Sequence, residues 1–146
     1  MYRHRERDLE VFLVHAGGPY WAKKDAGAWT VPKGEYGDDE HPLEAAKREF
    51  QEETGFAVGT DFHELGVVRQ AGGKLVTAWA FEGDCDPRKL TSNFHQIVWP
   101  PRSARTIKVP EVDRGEWFSI GAARKRILKS QEPFLDMLAA KVNLLS

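Results

Sequence analysis

From Leu9 to Val14 the chain is mostly apolar, and the run closes at Ala16-Gly17-Gly18-Pro19, a turn-forming stretch. That pattern predicts a strand buried on at least one side. Trp29-Thr30-Val31 reads as a second, short strand stopped by Pro32 and Gly34. The longest helical periodicity follows. Pro42 suits a first turn, Gly55 suits the residue just past an end, and Leu43, Ala46 and Phe50 recur at helical spacing between them, which predicts a helix over 42–54. Glu64 to Gln70 and Leu75 to Phe81 flank Ala71-Gly72-Gly73, the signature of a hairpin with a glycine-bearing loop. From Glu82 to Pro110 the text is irregular, with Ile97-Val98-Trp99 as a candidate strand and Trp99-Pro100-Pro101-Arg102 as a stiff corner. Trp117-Phe118 reads as the end of a last strand. Helical patterns at about 119–128 and 132–143 complete the chain, the second opening at Pro133 and carrying Phe134, Met137, Leu138 and Val142.

At 146 residues and 41% hydrophobic content, with no repeat or linker, one domain over 1–146 is expected. The net charge of −1 offers no general field for a nucleic-acid backbone or an anionic membrane, so neither is expected as a partner. Any anionic substrate must be gripped locally. A single cysteine, Cys85, cannot form an internal disulfide, and the opening residues lack the apolar core of a signal peptide, which fits a soluble, cytoplasmic protein.

Chemistry concentrates on the predicted helix. Glu49, Glu52 and Glu53 stand at i, i+3 and i+4 and share one stripe at the border of the apolar face formed by Leu43, Ala46 and Phe50. Three carboxylates held this closely suit Mg²⁺, a hard ion that combines a few carboxylates with substrate phosphate oxygens. The plainer alternative is a solvated glutamate-rich helix face.

The surroundings decide between these. Gly34, five residues, Glu40, seven residues, then Arg48-Glu49-Phe50-Gln51-Glu52-Glu53-Thr54-Gly55-Phe56 resembles the Nudix box at all nine specified positions of a 23-residue pattern. Chance agreement in so short a chain is remote. Trp29-Thr30-Val31-Pro32-Lys33-Gly34 before the box and Glu111 to Phe118 near the end are also similar to that family. The resemblance implies an α/β fold, an α/β/α sandwich around a mixed sheet with a loop–helix–loop catalytic motif. It implies a hydrolase acting on acid anhydrides in phosphorus-containing compounds: a Mg²⁺-dependent pyrophosphohydrolase, with Mn²⁺ able to substitute, for nucleoside triphosphates or dinucleoside polyphosphates. The alternative is a nucleotide-sensing module without turnover, against which the complete glutamate set argues. Monomer and homodimer are both compatible.

Carried over residue by residue, Glu49, Glu52, Glu53 and the Gly34 carbonyl match the family's metal ligands. Arg48 is expected to pair with a neighbouring carboxylate, Glu52 being i+4. Glu40 is expected as an orienting partner and Gly55 as a helix stop. The water-activating base is Glu52 or Glu111, the latter because several members recruit a glutamate far downstream of the box. Lys33, Arg102 and Arg105 are candidates for gripping substrate phosphates, the two arginines on a proline-stiffened loop. Family members also reach their first apolar strand after another short apolar segment. Here Met1-Tyr2-Arg3 runs almost directly into Arg5-Glu6-Arg7-Asp8; a start later than the family's would leave one sheet edge exposed and the fold weakened.

Overall fold

The computed structural model describes residues 1–32, 39–70 and 72–145. Among them the elements run β1 (Tyr2–Arg5), β2 (Asp8–Ala16), β3 (Trp29–Thr30), α1 (Pro42–Thr54), β4 (His63–Arg69), β5 (Leu75–Ala80), β6 (Phe94–Val98), β7 (Thr106–Pro110), β8 (Val112–Ser119), α2 (Ile120–Arg126) and α3 (Pro133–Leu145). Strand β2 is the axis. It pairs antiparallel with β8 along one edge, from Glu10↔Ser119 to Ala16↔Val112, and with β1 and β3 at successive points along the other. Two further hairpins, β4–β5 and β6–β7, are also antiparallel. The mixed character enters through β1: Tyr2 N–H donates to Phe81 O, and Tyr2 O accepts from Gly83 N–H, a parallel connection just past β5.

Residues Val11 to His15 are buried without a break because both faces of β2 are covered. Val11 and Leu13 meet Trp29, Phe118, Ala123 of α2, and Leu135 and Leu138 of α3. Phe12 and Val14 point the opposite way, as the two-residue period of a strand requires, onto Val112, with Phe56, Leu90 and Trp117 against them. His15 is wholly buried and bonds Asp113 Oδ1 at 2.9 Å and Lys24 O at 2.6 Å, tying the β2–β3 loop to β8.

The strand at 9–14, the helix at 42–54 and the 64–81 hairpin lie where the pattern predicts them. Three expectations are corrected. The opening residues, read as lacking a short apolar segment before the first strand, form β1 along one edge of β2; its sequence Tyr-Arg-His-Arg carries no apolar periodicity. The stretch expected to be irregular holds the β6–β7 hairpin. His95, Gln96, Thr106 and Lys108 are all exposed, so alternation is lost, and Pro100-Pro101 lies in the connecting turn instead of breaking a strand. Finally, the buried residues of α1 are Ala45, Glu49, Phe50, Glu53 and Thr54, so two of its glutamates occupy the buried face itself and not its border.

Gly115 marks the tightest approach in the central sheet. A Cβ there would stand 2.3 Å from Phe12 Cζ, within the most buried part of β2. Gly115→Ala is therefore expected to lower stability by about 1–3 kcal/mol, as overpacking of a filled core does. The urea midpoint of the variant checks this; an unchanged midpoint would mean Phe12 has room to move.

Candidate metal centre

Helix α1 begins at Pro42, behind His41, whose imidazole accepts a hydrogen bond from Leu43 N–H at 3.2 Å and caps the first turn. It ends at Gly55, in the left-handed region at φ 74°, whose N–H reaches Gln51 O. The carbonyls left over at this end are taken by a segment distant in sequence: Asn93 N–H donates to Glu52 O at 2.8 Å and Thr91 N–H to Thr54 O at 2.9 Å. Asn93 O in turn accepts from Glu111 N–H at 3.0 Å, Glu111 O accepts from Gly17 N–H at 3.0 Å, and Val112 N–H donates to Ser92 Oγ at 3.0 Å. The end of the helix thus holds 91–93, and 91–93 holds Glu111.

The result is a group of three carboxylates. Oxygens of Glu49, Glu53 and Glu111 lie within 4.8 Å of one another. Glu49 and Glu53 are only 8% and 7% exposed, too buried for water alone to screen their mutual repulsion. Burial pushes the Glu49 carboxyl above the usual carboxylate range, against the pull of the Arg48 guanidinium and with help from Glu52 and Glu111. An all-oxygen set of this kind fits a hard divalent cation.

Arg48 provides the internal counter-charge. Its Nε and Nη2 donate to the two oxygens of Glu40 at 2.9 and 3.0 Å, while Nη1 donates to Glu49 at 2.8 Å and to Glu52 at 3.2 Å. These bonds, first to Glu40 and then to Glu52, raise its pKa further above the ordinary arginine value. Arg48 and Glu40 are therefore a bidentate pair beside the carboxylates, in addition to the i+4 contact of Arg48 with Glu52. Glu52 belongs to the Arg48 network and is half exposed; it lies outside the group of three.

The remaining candidates are scattered. Lys33 and Gly34 lie outside the described residues. Arg102 and Arg105 are exposed at the tip of the β6–β7 hairpin, about 20 Å from Glu111 at the rise of an extended strand, and the structure does not bring them to the carboxylates. His95 was not foreseen. Its Nδ1 lies 3.6 Å from Glu111 Oε1, because β6 and β7 pair His95 with Val109 and so place it diagonal to Glu111. Nothing in the local pattern marks that residue, since the hairpin itself is hidden in the sequence.

A family model, the NUDIX domain, matches residues 2–138. The chain belongs to the Nudix family. Membership places it among hydrolases acting on acid anhydrides in phosphorus-containing compounds. No curated protein sequence matches it significantly. Several solved structures share the Nudix fold at low identity. A C. elegans Ap4A hydrolase in a binary complex is 19% identical, with a TM-score of 0.64 over 97% of this chain and 93% of that one. The NUDIX domain of Shewanella oneidensis NrtR, complexed with ADP ribose, is 16% identical, with a TM-score of 0.62 over 97% and 82%. A mutT/nudix family protein from Listeria innocua is 18% identical, with a TM-score of 0.60 over 99% and 92%.

The raised pKa of Glu49 sets a sign for stability. In the cation-free protein the folded state favours protonated Glu49, so ionisation costs stability as pH rises from the ordinary glutamate value through the raised one. Glu49→Gln removes that cost. Without divalent cation the variant is expected to melt no lower than wild type at neutral pH and to gain on it as pH rises through this window. It is also expected to show none of the increase in Tm that Mg²⁺ or Mn²⁺ binding at Glu49 would give the wild type. Calorimetry with and without the ion tests both; a variant that melts lower in EDTA would show that the Arg48–Glu49 pair outweighs the burial.

Proposed function

We propose that this Nudix protein is a Mg²⁺-dependent pyrophosphohydrolase, with Mn²⁺ able to substitute, that cleaves phosphoanhydride bonds in nucleoside triphosphates or dinucleoside polyphosphates. The observation that carries the reading is the meeting of Glu49, Glu53 and Glu111 from two distant parts of the chain. Glu49, Glu53 and Glu111 would hold the cation, with the Gly34 carbonyl as a further ligand. A bound divalent ion would supply charge neutralisation at phosphate oxygens and would acidify water.

Within this reading Glu52 accepts the proton of the attacking water. It lies one helical turn from Glu49, outside the three-carboxylate group, and its bond to Arg48 orients it. Arg48 steadies Glu49 and Glu52 together, and Glu40 orients Arg48. Lys33 grips a phosphate near the scissile bond. The tip arginines, Arg102 and Arg105, are too far from Glu111 for a phosphate next to that bond and would serve only the far end of a long polyphosphate. That geometry, together with the Trp29-to-Gly34 lead-in and the similarity to an Ap4A hydrolase, favours dinucleoside polyphosphates among the candidates.

A nucleotide panel with Mg²⁺ or Mn²⁺, with products identified by mass spectrometry, tests the reaction. Tight binding of one compound without turnover of any would make the protein a sensor instead. Glu52→Gln is expected to lower kcat by a factor on the order of 10³ while leaving the divalent-induced shift in Tm intact, whereas Glu111→Gln should lower both. Activity retained within about tenfold in Glu52→Gln would remove Glu52 from the role of base. Arg102→Ala and Arg105→Ala should raise KM for a dinucleoside tetraphosphate but not for a nucleoside diphosphate derivative, the pattern of lost uniform binding. Equal effects at every chain length would contradict the distance argument.

A further inference from the structure

The end of α1 fixes the main chain of Glu111 through Asn93, whose O accepts from Glu111 N–H at 3.0 Å. The side chain is a separate matter. Its carboxylate meets those of Glu49 and Glu53, two buried like charges, while 28% of the Glu111 side chain is itself exposed. A long side chain so placed gains both freedom and charge separation by swinging out into water. Arg48 bonds to Glu40, Glu49 and Glu52, and so serves the helix and its approach. Among the described residues, the one side chain that pairs with the Glu111 carboxylate is His95.

The fold delivers His95 to that place. It stands two residues beyond Asn93 on β6 and is paired with Val109, two residues before Glu111. The segment 93–95 therefore reaches Glu111 twice, Asn93 at the main chain and His95 at the carboxylate. The separation of 3.6 Å between Nδ1 and Glu111 Oε1 is longer than a hydrogen bond, and a small rotation of the imidazole, nearly half exposed at 44%, closes it. His95 does not join the group of three carboxylates, so it bears on the centre through Glu111 and not as a fourth ligand. A neutral imidazole orients a carboxylate while leaving its charge for a cation, whereas an arginine there would compete with the cation for both oxygens.

We propose that His95 is a positioning residue of the metal centre: its Nδ1–H holds the Glu111 carboxylate toward Glu49 and Glu53 and so completes the third arm of a divalent-cation site. The inference rests on the metal-dependent reading above and adds to it the residue that orients the carboxylate brought from outside α1. The role needs only an N–H at Nδ1, present on the imidazolium and on one neutral tautomer, and no change of protonation. Removing a group that orients a ligating side chain weakens metal binding by roughly 10- to 100-fold.

The test uses Mn²⁺ alone as the probe, its affinity measured on the full chain by titration calorimetry without nucleotide. His95→Ala is expected to weaken Mn²⁺ binding by about tenfold. His95→Phe keeps a ring on the strand but has no donor, and should weaken it equally. His95→Asn places an amide nitrogen close to the position of Nδ1 and should stay within about threefold of wild type. All three should melt with wild type in EDTA, because the substituted side chain is on an exposed strand. In a Glu111→Gln background the loss caused by His95→Ala should disappear, as a role exerted through Glu111 requires. With a nucleotide substrate, His95→Ala should need about tenfold more Mn²⁺ for half-maximal rate and regain a kcat within about threefold of wild type at saturation. Mn²⁺ affinity of His95→Ala within about twofold of wild type, His95→Asn as weak as His95→Phe, or a full loss persisting in Glu111→Gln overturns the proposal and leaves the hydrolase reading standing. The expected order of Mn²⁺ affinities without turnover of any nucleotide upholds the role of His95 and overturns the hydrolase reading alone.

Discussion

Everything around α1 is arranged to tolerate a concentration of negative charge where water is scarce. Glu49 and Glu53 sit on the buried face of the helix and Glu111 is brought against them, so the cation-free protein holds three carboxylates that repel one another. Arg48 offsets part of that cost by bonding to Glu49 and Glu52, and Glu40 holds Arg48 in place from its other side. One guanidinium cannot neutralise five carboxylates. The remaining deficit is what a divalent ion would neutralise, so in the proposed reading function and stability pull apart at these positions.

Much of this was legible in the residues. The i, i+3, i+4 glutamates on a helix bounded by Pro42 and Gly55, and the pairing of Arg48 with its i+4 neighbour, follow from helical spacing alone. The resemblance of residues 34–56 to the Nudix box extended that reading to the fold and to Glu40. What spacing could not supply was the division of the glutamates. A periodic reading assigns buried positions to apolar residues, so it put Leu43, Ala46 and Phe50 inside and left the acids at the border; the helix instead turns Glu49 and Glu53 inward.

The β6–β7 hairpin was illegible for a different reason. Its strands are exposed along most of their length, so no alternation records them, and the pairing of 94–98 with 106–110 is a property of the folded chain. With the hairpin hidden, neither the proximity of His95 to Glu111 nor the remoteness of Arg102 and Arg105 could be read. Gln131 was equally silent, since a glutamine just before a helix looks like surface until Val31 N–H is seen to donate to its Oε1 in the interior.

The hydrogen bond from Glu111 N–H to Asn93 O closes the base of that hairpin, and the spare carbonyls of α1 hold Asn93 from below. The Glu111 backbone is thereby positioned by the stem, and beyond it the carboxylate meets only the start of the hairpin at His95. Chain can be inserted, removed or recomposed at the tip, between Val98 and Thr106, without moving the carboxylate, so the tip is free to drift toward new ligands while the three carboxylates stand still. A fixed carboxylate and a diversifying tip, close in sequence, are in this way mechanically uncoupled.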